Sequence, residues 1–273
     1  ALQGDEIDVA LDLSPETAET IAANDKFTMV KTPQTRTYQL YMNLDKLTDP
    51  AVRQAIMYGV DKKTIGDQYL KGAMTASNSA FLASTPYGDP ALKARSYDPE
   101  KAKQVLAAAG YTDTDGDGIV EKNGKPLTVE MGVYKRLFNE NITTEMQAQL
   151  KKIGINVNIV SHEKSTYLKP GEFELSLYSV ITMPTGDPYA FLRDSLSAKG
   201  VSNFGHYDNP VVEQLLADLP NTFDPTKRIA LVNHIQQQVI DDAAMDFIGF
   251  NNMQVGISKK VTGFLSTPSD YYH

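Results

Sequence analysis

The sequence predicts an α/β fold, a mixed sheet flanked by helices, and three observations carry that reading. Six helix starts share one signature: Ser14-Pro15, Asp49-Pro50, Asp98-Pro99, Asp187-Pro188, Asn209-Pro210 and Asp224-Pro225 each set a capping side chain before a proline. The side-chain oxygen accepts from backbone N–H groups that the first helical turn leaves free, and the proline gives up an N–H that had no partner. Short β-rich runs fall between these starts, so helices and strands alternate along the chain. One alternation, strand then helix then strand over residues 128–160, is a βαβ pattern and implies a right-handed crossover between two parallel strands.

Taken in order, Ser14-Pro15 opens a short helix and Thr37–Asn43 reads as a strand. Asp49-Pro50 opens a helix with the stripe Val52, Ala55, Ile56 and Gly59; Asp98-Pro99 opens another with Ala102, Val105, Leu106 and Ala109, stopped by Gly110. Leu127–Val133 is a strand. A third stripe, Ile142, Met146, Leu150 and Ile153, ends at Gly154 and leads into the strand Ile155–Val160. Glu174–Val180 is the next strand, and Ile229, Val232, Ile235 and Val239 form a fourth helical stripe. Asp246–Phe250 and Gln254–Ile257 complete the strands.

A chain of 273 residues can bury a substantial core, as one large domain or one domain with a short appendage. Its formal charge of −8 is spread along the chain, whereas binding a phosphate backbone needs clustered Lys and Arg, so no nucleic acid partner is expected. With no cysteine, thiolate metal sites, iron–sulfur clusters and cysteine nucleophiles are excluded, and the composition fits an exported protein that folds without disulfides. No run approaches the ~20 apolar residues of a membrane-spanning helix. The opening Ala1-Leu2-Gln3-Gly4-Asp5-Glu6-Ile7-Asp8 reads as the middle of a protein, not as a secretion leader, so the expectation is a chain cut from a longer one.

Several of these pieces stand in a familiar order: Gly4-Asp5-Glu6-Ile7-Asp8, Tyr38-Gln39-Leu40-Tyr41-Met42-Asn43, Asp49-Pro50-Ala51-Val52-Arg53-Gln54-Ala55-Ile56 and Tyr97-Asp98-Pro99-Glu100-Lys101-Ala102. Ala109-Gly110-Tyr111, Asp113-Thr114-Asp115-Gly116-Asp117-Gly118, Leu150-Lys151-Lys152-Ile153-Gly154-Ile155 and Gly186-Asp187-Pro188 follow. The series resembles family 5 of the bacterial extracellular solute-binding proteins, which serve oligopeptide, dipeptide and nickel ABC importers. The resemblance implies one lobe of a two-lobed fold of the periplasmic-binding-protein type (type II, cluster C). Residues 1–253 would be the second, ligand-binding lobe and residues 254–273 a tail returning toward the first. It also implies a substrate-capture protein, not an enzyme and without cofactor, with three partners: a small solute (a peptide or a metal chelate), the permease subunits and its own first lobe. The place of work would be extracytoplasmic, in the periplasm or at the outer face of the membrane as a lipoprotein.

In such a fold the solute sits between lobes, held by loops at strand ends. Two loops qualify. Tyr134-Lys135-Arg136-Leu137-Phe138-Asn139 mixes aromatic and cationic groups, which suits a carboxylate-bearing ligand and selects Tyr134 and Arg136. The second runs from Thr182 through Met183, Thr185, Asp187, Tyr189 and Arg193 to Asn203. Where peptide-binding relatives carry an aspartate for the ligand's α-amino group, this chain has Pro184. A proline cannot hold an ammonium, which favours nickel chelates or other carboxylate-rich solutes over dipeptides; Asp187 itself is expected to cap the following helix.

His162, His206, His234 and His273 show no ligand spacing, so no bare metal ion is expected on this lobe. Asp113, Asp115 and Asp117 match the opening of a calcium loop, with Glu121 as a substitute ligand, but the twelfth position is Gly124, and a hairpin connection is the alternative. Two other classes stay open on the residues alone. One is a calcium-stabilised cell-surface module built on that loop. The other is an acidic-site hydrolase using paired carboxylates, for which no spacing singles out an acid and a base.

Overall fold

In the computed structural model, which describes residues 1–269, the first half runs β1 (Val9–Ala10), α1 (Pro15–Ala22), β2 (Phe27–Met42), α2 (Pro50–Gly59), α3 (Lys62–Thr64), β3 (Met74–Ala76), α4 (Pro99–Ala108) and β4 (Glu121–Lys122). The second half runs β5 (Lys125–Pro126), β6 (Thr128–Tyr134), α5 (Asn139–Lys151), β7 (Asn156–His162), β8 (Leu175–Ile181), α6 (Tyr189–Leu196), α7 (Pro210–Asp218), α8 (Pro225–Asp241) and β9 (Met245–Ser258). Five of the six proline-led starts form as expected. Ser14, Asp49, Asp98, Asn209 and Asp224 accept backbone N–H bonds at the beginnings of α1, α2, α4, α7 and α8. The sixth is displaced by one residue: Pro188 stands at the cap of α6, although Asp187 still accepts from the Tyr189 N–H at 2.8 Å. Gly110 and Gly154 stop α4 and α5 in the left-handed region (φ 86° and 90°). There the Tyr111 and Ile155 N–H groups return to the Leu106 and Leu150 carbonyls at 3.0 and 3.1 Å.

The sheet order is β1-β9-β2-β8-β6-β7, with β3 beside β1 on the same edge of β9. β6 pairs in parallel with both β7 and β8, and the other pairs are antiparallel, so the expected mixed sheet and βαβ unit are present. Alternation along β2 fixes what covers each face. Tyr38, Leu40 and Met42 join a core with Ile56 of α2, Leu106 of α4 and Met146 of α5. Tyr41 points the other way, into a core with Leu192 of α6, Val212 of α7 and Val232 of α8. Helices therefore cover both faces.

Two strand expectations are corrected. The strand expected at Thr37–Asn43 reaches back to Phe27, and Asp246–Phe250 and Gln254–Ile257 merge into one. The two long strands are each other's partners from Phe27↔Ser258 to Tyr41↔Met245, and this pairing carries extended backbone through Pro33 and the Asn251–Asn252 pair, where local sequence breaks the pattern. The expected division after residue 253 thus falls inside β9, and Gln254–Ser258 belong to the sheet. Residues 270–273, with His273, lie outside the described residues.

Register slips once in a way that matters. Pro33 faces Asn252 and Thr37 faces Phe250, so β2 advances four residues while β9 advances two. Gln34–Arg36 stand against Asn251 alone, two residues more than the ladder needs, and this bulge re-aims the strand. Beyond the slip the two strands continue as a ribbon with small cores of its own, Leu2, Ile21 and Phe27 in one and Met253, Val255 and Ile257 in the other.

Candidate ligand-binding site

Because β6 and β8 run in parallel, their carboxyl ends open at one edge of the sheet, the edge where α/β sheets bind ligands. The bulge in β2 brings Arg36 to the same edge, opposite Ile181 at the end of β8. A shallow cavity of about 300 Å³ forms there, lined by Arg36, Tyr134, Arg136, Tyr178, Ser179 and Pro184 among others.

Its floor is aromatic and hydrogen-bonded. Tyr134 ends β6, buried, with its hydroxyl 3.3 Å from Ser179 Oγ and 3.4 Å from the Ser179 N–H that donates to it. The Tyr134 and Tyr178 rings lie 5.8 Å apart, and Tyr178 meets Phe204 edge-on at 5.6 Å. Arg36 is only 8% exposed and donates from Nη1 to the Ser179 carbonyl at 3.5 Å. Arg136, by contrast, is exposed on the loop after β6. Burial and then the neighbouring Tyr134 push the Tyr178 hydroxyl above its usual range, while the Arg136 and Arg36 guanidiniums pull it down. Both cations thus act on one hydroxyl at the cavity. Chemically, the arrangement offers two guanidiniums for anionic oxygens and ring faces for the body of a ligand.

The other sequence-selected residues have different surroundings. Met183 packs partly buried against the core beneath α6, and Thr185 is exposed. Asp187 receives Arg228 Nη2 at 2.6 Å as well as the Tyr189 N–H, so its carboxylate ties α6 to α8. Arg193 pairs with Asp194 at 2.7 Å and lies over the Tyr189 ring at 5.6 Å. Asn203 is spent on its own loop: Nδ2 donates to the Ser197 and Tyr207 carbonyls at 3.0 and 2.7 Å, and Oδ1 accepts from the Tyr207 N–H at 2.9 Å. Of the eight, Tyr134 and Arg136 line the cavity, alongside Pro184.

Sequence reasoning missed Arg36 and Tyr178. Each carried a signal: Arg36 is a cation leading directly into the buried run Thr37–Met42, and Tyr178 is an alternating member of β8 between buried Leu177 and Ser179.

The acidic loop lies in the connection between α4 and β4. Oxygens of Asp113, Asp115, Asp117 and Glu121 come within 4.8 Å of one another, a spacing a hard cation could use. The carboxylates also close the loop themselves: Asp113 accepts the Gly116 and Gly118 N–H groups at 2.7 and 3.0 Å, and Glu121 accepts Thr114 N–H at 2.7 Å. Among the described residues, no helix is long and apolar enough to cross a membrane.

Helices cover both faces of the mixed sheet, and a shallow cavity with cationic and aromatic lining lies at its strand ends, in an α/β architecture. The model of the bacterial extracellular solute-binding proteins, family 5 Middle, matches residues 1–203, and the chain belongs to that family. Its members are transport binding proteins. The chain is 32% identical over 221 residues to the nickel-binding periplasmic protein of Escherichia coli, covering 78% of this chain and 42% of that protein. It is 28% identical over 239 residues to the oligopeptide-binding protein AppA of Bacillus subtilis, covering 82% and 43%. A nickel ABC transporter structure from Bacillus halodurans superposes with a TM-score of 0.89 at 27% identity, over all of this chain and 58% of that one. The chain therefore spans about half the length of the relatives it matches.

Proposed function

We propose that this chain is one jaw of the substrate-capture component of an ABC importer, working outside the cytoplasmic membrane and delivering a small solute to the permease. The observation that carries the reading is the convergence of Arg36 and Arg136 with the Tyr134 and Tyr178 rings at the strand ends, in a cavity open on one side. Solute held there is covered by a second jaw, and closure excludes water and presents one surface to the permease.

The site favours a carboxylate-bearing solute. Two guanidiniums match carboxylate oxygens, and Pro184 lines the cavity where an ammonium would need an acceptor. A nickel ion wrapped in a carboxylate chelator fits this chemistry better than a free α-amino peptide. The nickel-named relatives support it; the oligopeptide-named relative keeps the peptide reading as the second one. Isothermal titration of a form extended to the length of its relatives, with nickel–histidine and with dipeptides, tests the choice. Tight dipeptide binding with no response to the nickel complex would overturn it.

A further inference from the structure

A second cavity, of about 650 Å³, opens on the β3–β9 side of the register slip and shares no lining residue with the strand-end cleft. That volume is within the range that holds small organic ligands. Lys62 lines it although the residue is only 8% exposed. Its ammonium donates to Asp246 Oδ1 at 2.6 Å and to Asn78 Oδ1 at 3.0 Å. An ammonium has three N–H groups, so one remains for the cavity, and the exposed Asn78 amide brings further donors. Leu82, Leu92 and Phe250 supply apolar wall.

The charges around this end cancel. Lys62 is matched by Asp246, and Lys63 by Asp67. Arg95 and Asp89 both line the cavity and balance in sign, the Arg95 guanidinium donating to the Asp241 carbonyl at 3.1 Å and the Asp89 carboxylate accepting the Ala91 N–H at 2.8 Å. Donors without net charge call for an acceptor without charge. A carboxylate placed on Lys62 would add a second anion beside buried Asp246, whereas an amide carbonyl would accept the same N–H bonds without that repulsion.

We infer that the chain carries a second binding site, separate from the strand-end cleft, for an uncharged apolar molecule bearing an amide. Its carbonyl accepts from Lys62 and Asn78, and its apolar body lies against Leu82, Leu92 and Phe250.

The probe is N-acetyl-phenylalaninamide titrated into the 273-residue chain, followed by backbone amide NMR shifts, with N-acetyl-phenylalanine as the anion of the same shape. Saturable shifts over residues 75–97 are expected with Kd of ~1 mM, and the acid should bind at least ~5-fold more weakly. Ala83→Trp, at an exposed lining position, should fill the cavity and abolish the shifts at an unchanged unfolding midpoint. Lys62→Met combined with Asp246→Leu removes the donor and leaves no buried charge, and should weaken binding about tenfold. Absence of saturation up to ~10 mM, shifts confined to Tyr178 and Arg136, tighter binding of the acid, or indifference to Ala83→Trp would each overturn the inference.

Discussion

The Lys62–Asp246 pair makes a quantitative prediction. The two groups meet at 2.6 Å with side-chain exposures of 10% and 3%, and the second oxygen of Asp246 is buried without a hydrogen-bond partner. Lys62→Met would strand a carboxylate in apolar surroundings, and Asp246→Leu would strand an ammonium; breaking a buried pair from one side costs about 3–5 kcal/mol. Replacing both leaves no charge to desolvate, so the double variant should lie within ~1 kcal/mol of the parent. Proton linkage gives a second readout. Burial raises the Asp246 carboxyl above its ordinary value, and Lys62 is the largest influence pulling it back. A carboxyl whose folded pKa is raised contributes stability that is complete below the unfolded value and is lost as pH rises through the folded one. Without Lys62 that rise is larger, so the deficit of Lys62→Met should be greatest near neutrality and shrink as the solution is acidified. Urea unfolding of the four proteins at several pH values measures all of this. Additive losses, with the double variant as unstable as the sum of the singles, would refute the reasoning.

Other outcomes follow from local geometry. A Cβ on Gly132 would stand 2.4 Å from the Tyr167 ring, which is fixed by stacking on His162 at 3.8 Å and by Ser176 Oγ at 2.7 Å; Gly132→Ala should cost about 1–3 kcal/mol in thermal unfolding. Burial acts to raise the Asp49 carboxyl, but Lys122 at 2.9 Å, the Ala51 N–H and the Tyr111 hydroxyl outweigh it and hold it below its usual range. Its contribution is therefore present above the unfolded value and lost as pH falls through the folded one, so Asp49→Asn should cost about 1 kcal/mol at neutral pH and almost nothing in strong acid. In a form extended to the length of its relatives, Arg136→Ala should weaken a carboxylate-bearing solute by about 10–100-fold without changing the unfolding midpoint, because the residue is exposed. Pro184→Asp in that same form should raise dipeptide affinity by supplying the missing ammonium acceptor; unchanged calorimetric affinity would contradict that role.

The legible parts of this fold are those set by neighbours in sequence. A capping oxygen acts on N–H groups two or three residues away, so Asp98 and Asn209 announce α4 and α7. Apolar stripes likewise gave the buried faces of α2 and α5. What escaped was long-range. Strand structure at Pro33 comes from pairing with a partner more than 200 residues on, and the bulge that delivers Arg36 exists only in that pairing. The same limit applies to the site. Tyr134 and Arg136 follow from a loop after a strand, but Tyr178 joins them only once β6 and β8 are seen side by side. Asn203 shows what sequence leaves out in the other direction: a polar residue in a plausible loop, it is hydrogen-bonded within that loop through both Nδ2 and Oδ1.

Affinity of this chain alone is the most direct measure of the central claim, that Arg36, Arg136 and the two tyrosines grip a solute from one side only. A solute bound at ~1 μM between two jaws has about 8 kcal/mol of binding free energy, and half of those contacts leave only millimolar affinity. Calorimetric titration of the 273-residue chain with nickel–histidine and with dipeptides should therefore show no binding tighter than the millimolar range. A submicromolar complex formed by these residues alone would contradict the account.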